Sequence, residues 1–94
     1  MDYRKLHIVY ICLGTNLGDK HKNLTRAIEQ IDTNCGSVSE RSGICQSIAW
    51  GYKSENDFYN QCLKVATALN PEELLEEILL IEQLKLLPDV SYSE

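Results

Sequence analysis

The chain predicts an α/β (α+β) fold in one domain, with elements in the order strand, helix, strand, strand, helix. Three observations carry that expectation: the apolar run "LHIVYICL" from Leu6, a helical stripe at Leu24, Ala27, Ile28 and Ile31, and the helix-opening "NPEE" at Asn70. At 94 residues there is material for one core and not two, since a short chain hides a smaller fraction of its unfolded surface.

Each element follows from local chemistry. Residues 6–13, which start at Leu6 and end at Leu13, are β-branched and aromatic with almost no polar alternation, as expected of a strand covered on both faces. In the helix that follows, apolar residues spaced by three, one and three share one side, with Asp19 as N-cap and Gly36 as the stop. Residues 38–48 place Val38, Ile44 and Ile48 among serines and a glycine, which reads as an irregular strand. "WGYKSEND" is rich in turn formers and reads as a loop. From Phe58 to Thr67 a strand places Phe58, Asn60 and Cys62 on one face and Tyr59, Leu63 and Val65 on the other. Asn70 then caps a second helix, with Pro71 at its first position and Glu73 placed to close a capping box. Its stripe is Leu74, Leu75, Ile78, Leu79 and Ile81, and Pro88 ends it. Residues 88–94 read as a polar tail. A ferredoxin-like βαββαβ unit would need one more strand, so the expectation is a βαββα core.

Charge and composition narrow the function classes. A formal net charge of -5 offers nothing to nucleic acid or an anionic membrane, and an anionic ligand would need locally placed cations or backbone amides. The four cysteines, Cys12, Cys35, Cys45 and Cys62, form no Cys-x-x-Cys pair and have no histidine near enough to complete a zinc site, so free, mostly buried thiols are expected, with two disulfides in a secreted protein as the alternative. The apolar run after Arg4 and Lys5 lacks an A-x-A-like cleavage site and falls short of the ~20 residues that span a membrane, so a cytoplasmic location is expected.

Among the motifs, Gly14-Thr15-Asn16-Leu17-Gly18 has neither the Gly-Lys-Ser/Thr ending of a phosphate loop nor the G-x-G-x-x-G pattern, and it serves equally as a strand-to-helix bend. Phe58 and Asn60, two apart on a strand, suit a flat heteroaromatic ligand: the ring offers a π face, and the amide can donate and accept at a ring edge. The opposite reading puts Phe58 in the core and satisfies Asn60 locally. Trp50-Gly51 has the makings of a flap or of a surface-packed ring. The glutamates at 72, 73, 76 and 77 read as a solvated helix face, and His7 and His21 have no partner at catalytic spacing.

Together, four segments resemble the 6-hydroxymethyl-7,8-dihydropterin pyrophosphokinase family. They are "VYICLGTNLGDKHKNL" for the apolar strand and its Gly-Ser-Asn-Leu-Gly-type turn, "SIAWGY" for the Thr-x-Pro-x-Gly-type loop, "NDFYNQCL" for the Asp-Tyr/Phe-Leu-Asn strand and "NPEELLEEILLIE" for the Pro-Glu-Glu-Leu-Leu helix. The resemblance implies a ferredoxin-like fold with an antiparallel sheet. It also implies pyrophosphate transfer from ATP, with Mg2+, to the pterin hydroxymethyl group in folate biosynthesis. Carried over by position, Ser47, Ile48 and Trp50 border the pterin, Phe58 stacks on it, Asn60 bonds its edge and Glu82 sits near the nucleotide. The glycine turn then reads chiefly as a bend close to the site.

Departures from the family pattern shape the expectation further. Ser47 and Ala49 stand where the family commonly has threonine and proline. Beyond Glu82 the family continues with an Arg-rich loop and an Asp-x-Asp strand that holds two magnesium ions, whereas this chain reads "QLKLLPDVSYSE". The resemblance therefore assigns no catalytic or metal residue here, and the expectation is a truncated member without activity by itself, the alternative being a non-catalytic pterin-binding or assembly module. Transfer of this type depends almost wholly on such positioning and electrostatics. Loss of the strand beside the first one would leave residues 6–13 with an open edge, so a homo-oligomer joined through that edge is expected.

Overall fold

Val9, Ile11 and Leu13 point one way because a strand alternates faces, and all three are sealed from solvent, whereas Ile8 and Tyr10 are 41% and 47% exposed. The computed structural model describes residues 5–47, 57–83 and 89–93. Its elements are β1 (His7–Thr15), α1 (Lys20–Asn34), β2 (Ser37–Arg41), β3 (Cys45–Ser47), β4 (Phe58–Thr67), α2 (Pro71–Gln83) and β5 (Asp89–Ser93). The sheet is antiparallel in order β2-β4-β1-β5, with β3 also pairing β4.

Both helices lie on one face of this sheet. Leu24, Ala27, Ile28 and Ile31 of α1 and Leu74, Ile78 and Ile81 of α2 form a single cluster with Val9, Ile11, Leu13, Leu63 and Val65. The expectation that β1 is covered on both faces is therefore corrected: its even-numbered residues face away from the helices. The α2 stripe is narrower than expected as well, since Leu75 and Leu79 are about half exposed.

The sharpest correction concerns the tail. Residues 89–93 form β5, which pairs with residues 10–14 of β1, so the ferredoxin-like unit gains the strand that the sequence reading found missing. Val90 and Tyr92 alternate with Asp89, Ser91 and Ser93 and pack against the core, a period of two too short to stand out. The open edge expected along residues 6–13 is covered over residues 10–14, which removes the reason given for association there.

Cysteines depart from expectation too. Cys12 and Cys62 are directly opposite in the β1–β4 register and form a disulfide, while Cys35 is free and buried and Cys45 is free and exposed. Cys35 caps α1, where burial and then the nearby Glu77 carboxylate push its thiol up to about 11.

Other signals hold as read. Asn70 Oδ1 accepts from Glu73 N at 2.9 Å, and Glu73 Oε1 accepts from Asn70 N at 3.1 Å, a reciprocal capping box. Gly36 follows the helix because β4 passes too close for a side chain: a Cβ there would run into the Ala66 carbonyl oxygen. The irregular strand divides into β2 and β3. Between them Ser42 substitutes for a ladder partner, its N donating to the Cys62 carbonyl and its Oγ accepting from Cys62 N, each at 2.8 Å. The described helix α2 stops at Gln83, and Pro88 lies outside the described residues. Among the described residues, no helix is long and apolar enough to cross a membrane.

Candidate functional site

Phe58 and Asn60 share a face because both are even-numbered positions of β4, and that face is the one turned away from the helices. The short β3 adds Ser47 opposite Phe58 and Cys45 opposite Asn60, so three of the predicted residues meet at one end of the sheet. Asn60 Nδ2 donates to Ser47 Oγ at 2.8 Å and, more weakly, to the Cys45 carbonyl at 3.4 Å. The local satisfaction of Asn60 and its place beside Ser47 are thus one arrangement: the bond fixes the orientation of the amide. Phe58 is half-buried.

Asp57 is a residue that sequence reasoning quoted without giving it a role. It is buried beside Phe58, and its Oδ2 accepts from Gln46 Nε2 at 3.2 Å, which ties the start of β4 to β3. Its only signal was adjacency to the aromatic of the "NDFYN" segment.

Gly14 is the register partner of Asn60, which brings the strand-to-helix turn beside the candidate site. Gly18 has φ +62°, a left-handed conformation that other residues adopt at a cost. Asn23 Nδ2 donates to the Leu17 carbonyl at 2.8 Å and Thr15 Oγ1 at 3.3 Å, and Asp19 Oδ1 accepts from Lys22 N at 3.1 Å. These bonds give Gly14 to Gly18 the role of a braced bend. On the helical side of the sheet, the Tyr59 ring meets His21 edge-on at 5.2 Å and Lys20 Nζ at 4.9 Å, anchoring the start of α1 to β4.

Two predicted residues, Ile48 and Trp50, lie outside the described residues. Glu82 stands in the last turn of α2, in the helical layer and so on the other side of the sheet from Phe58 and Asn60. Among the described residues no three histidine, cysteine, aspartate or glutamate side chains converge as cation ligands, and the buried carboxylate of Asp57 is already engaged by Gln46.

Comparison with known proteins gives the geometry a lineage. The family model described as 7,8-dihydro-6-hydroxymethylpterin-pyrophosphokinase matches residues 10–86. The 2-amino-4-hydroxy-6-hydroxymethyldihydropteridine pyrophosphokinase of Porphyromonas gingivalis is 34% identical over 76 residues, covering 81% of this chain and 52% of that protein. Its counterpart from Aquifex aeolicus is 36% identical over 75 residues, covering 80% of this chain and 46% of that protein. The folic acid synthesis protein fol1 of Pneumocystis carinii is 41% identical over 75 residues, which cover 80% of this chain and 10% of that protein. The chain thus spans about half the length of these two pyrophosphokinases. Among solved structures, the C-terminal domain of the MgtC protein from Mycobacterium tuberculosis aligns with a TM-score of 0.59 at 9% identity, over 99% of this chain and 90% of that one, a likeness of fold alone. With most of β1, the glycine turn, β4 and α2 inside the matched span, the chain belongs to the 7,8-dihydro-6-hydroxymethylpterin-pyrophosphokinase family.

Proposed function

We propose that the chain supplies the pterin platform of a folate-biosynthesis pyrophosphokinase, binding 6-hydroxymethyl-7,8-dihydropterin, and that these 94 residues by themselves do not complete pyrophosphate transfer from ATP. The observation that carries this reading is the grouping of Ser47, Phe58 and Asn60 at one end of the sheet, within a family whose named activity acts on that pterin. In this reading Phe58 offers its π face to the bicyclic ring, and Asn60, held by Ser47, meets the ring edge with an amide whose orientation is set before the ligand arrives. Ile48 and Trp50 border the ring by position. Glu82 belongs to the nucleotide side.

Withholding turnover rests on chemistry. The 94 residues contain no Asp-x-Asp. ATP binds with Mg2+ in this family, and the metal's contribution is to neutralise phosphate charge, which is the work the family's Asp-x-Asp carboxylates serve. Titration of the hydroxymethyl pterin, followed by fluorescence of the single tryptophan, should saturate, while ATP and Mg2+ added with the pterin should release no AMP. Absence of saturable binding overturns the platform, and AMP release at ordinary enzymatic speed overturns the claim that transfer is not completed.

A further inference from the structure

From the same sheet face, two residues along β4 from Asn60, we infer that the Cys12–Cys62 pair is a thiol–disulfide exchange site for small anionic thiols, with Cys62 as the sulfur attacked. Three observations carry it. The two cysteines are direct cross-strand partners with Cα atoms 4.1 Å apart, so their sulfurs meet without any movement of the backbone. Cys62 is the exposed member and Cys12 the half-buried one, which makes access unequal. A cleft of about 260 Å3 opens onto Cys62, lined by Tyr10, Glu40, Arg41, Ser42 and Lys64.

The lining sets the chemical class. Arg41 and Lys64 outweigh Glu40 there, and reactive cysteines sit in partly exposed, electropositive surroundings. A small peptide thiol carrying carboxylates, of the glutathione type, suits such a cleft. The other two cysteines lie outside the cleft: Cys35 is also buried, with its thiol pushed up to about 11, and Cys45 is exposed.

The exchange balances in two steps. A thiolate RS⁻ attacks Cys62 Sγ, the bond between the two cysteine sulfurs breaks, and its electron pair leaves on Cys12, which takes a proton from water. A second RS⁻ attacks the R-bound sulfur, releasing RSSR and the Cys62 thiolate, which is protonated in turn. Two thiols are oxidised to one disulfide while the protein disulfide is reduced, and an excess of RSSR runs both steps backwards.

The test uses the full chain. In Cys12→Ser, oxidised glutathione should add to Cys62 at least about threefold faster than to Cys45 by peptide mass mapping, the margin that one or two surface charges supply. Adding Arg41→Gln and Lys64→Gln should erase that margin, and with the neutral hydroxyethyl disulfide the margin should be absent from the start. Should Cys12→Ser fail to fold, wild-type chain in a glutathione redox buffer should show the trapped mixed disulfide on Cys62 and not on Cys12. Equal rates at Cys62 and Cys45, a margin indifferent to the two cations, a mixed disulfide on Cys12, or free Cys12 and Cys62 thiols before any reductant is added would each overturn the inference.

Discussion

Asn60 reaches across the β3–β4 pair and donates its Nδ2 to Ser47 Oγ at 2.8 Å, so a three-residue strand and a ten-residue strand are tied at the candidate pterin face. The bond implies a division of labour that substitutions can separate. Asn60→Ala removes the ring-edge partner and should weaken pterin binding by about tenfold, whereas Ser47→Ala only loosens the amide and should cost about threefold to fivefold, the range of one net hydrogen bond. A double-mutant cycle on pterin affinity should show strong coupling between them. Additive losses would mean that Ser47 does not act through Asn60.

How far this was legible in the sequence depends on how local each signal is. Phe58 and Asn60 sit on one strand, so a period of two places them on a common face without knowledge of any partner. The capping box at Asn70 and Glu73 and the α1 stripe are equally local, and both stand as read. Pairing is not local. The Cys12–Cys62 disulfide joins positions 50 residues apart and depends on the β1–β4 register, which spacing cannot supply. The strand β5 has just five residues, and Val90 and Tyr92 give its alternation only two apolar positions. Leu75 and Leu79 look like core in a helical projection, yet a helix on one face of a sheet buries only a narrow arc. Ser47 entered through family resemblance, and its geometric role emerged only with β3 in place.

Gly36 offers a test of how closely α1 and β4 approach. A side chain there would meet the Ala66 carbonyl oxygen and Thr67 Cα, the latter at 2.9 Å, and backbone cannot step aside as a flexible side chain does. Gly36→Ala should therefore destabilise by about 3 kcal/mol, the upper range for an overpacked site. Urea unfolding should show a lower midpoint at unchanged slope. A midpoint within error of the parent would mean that the chain end of α1 can shift away at little cost.

The capping box predicts a smaller, cleaner effect. Asn70→Ala removes the acceptor for Glu73 N, while the buried face of α2 stays intact, so the loss should be about 1 kcal/mol. Asn70→Asp keeps an acceptor oxygen at the helix start and should retain most of that stability. Thermal unfolding of the pair of variants checks the order.

Cys35 links stability to alkaline pH. Its thiol is raised from 9.0 to about 11 in the folded chain, first by burial and then by Glu77, so the unfolded chain releases this proton at lower pH than the folded one. The contribution is therefore fully present below pH 9 and is lost as pH rises towards 11, amounting to roughly 3 kcal/mol. Cys35→Ala should lower stability at neutral pH and flatten the alkaline slope relative to the parent. Parallel slopes for parent and variant between pH 8 and 11 would assign the alkaline loss to other groups.

The cover that β5 gives β1 makes the last prediction. Val90 and Tyr92 face the core from a five-residue strand whose partners are residues 10–14, so the pairing depends on those two side chains keeping β5 against the sheet. A carboxylate at either place would be turned towards apolar neighbours and would have to escape to solvent, taking the strand with it. Val90→Asp should thus expose the backbone donors and acceptors of residues 10–14, and bared strand edges recruit other chains. Amide exchange at those residues should accelerate by at least about tenfold, the factor given by a loss of ~1.4 kcal/mol in local opening free energy. Light scattering should then rise with concentration in Val90→Asp and stay flat in the parent. Ser91→Asp, on the opposite face of the same strand, should change neither measurement, which separates detachment of the strand from the mere addition of charge. If Val90→Asp leaves both exchange and scattering at parental values, β5 does not depend on its apolar pair and the edge of β1 is protected in some other way.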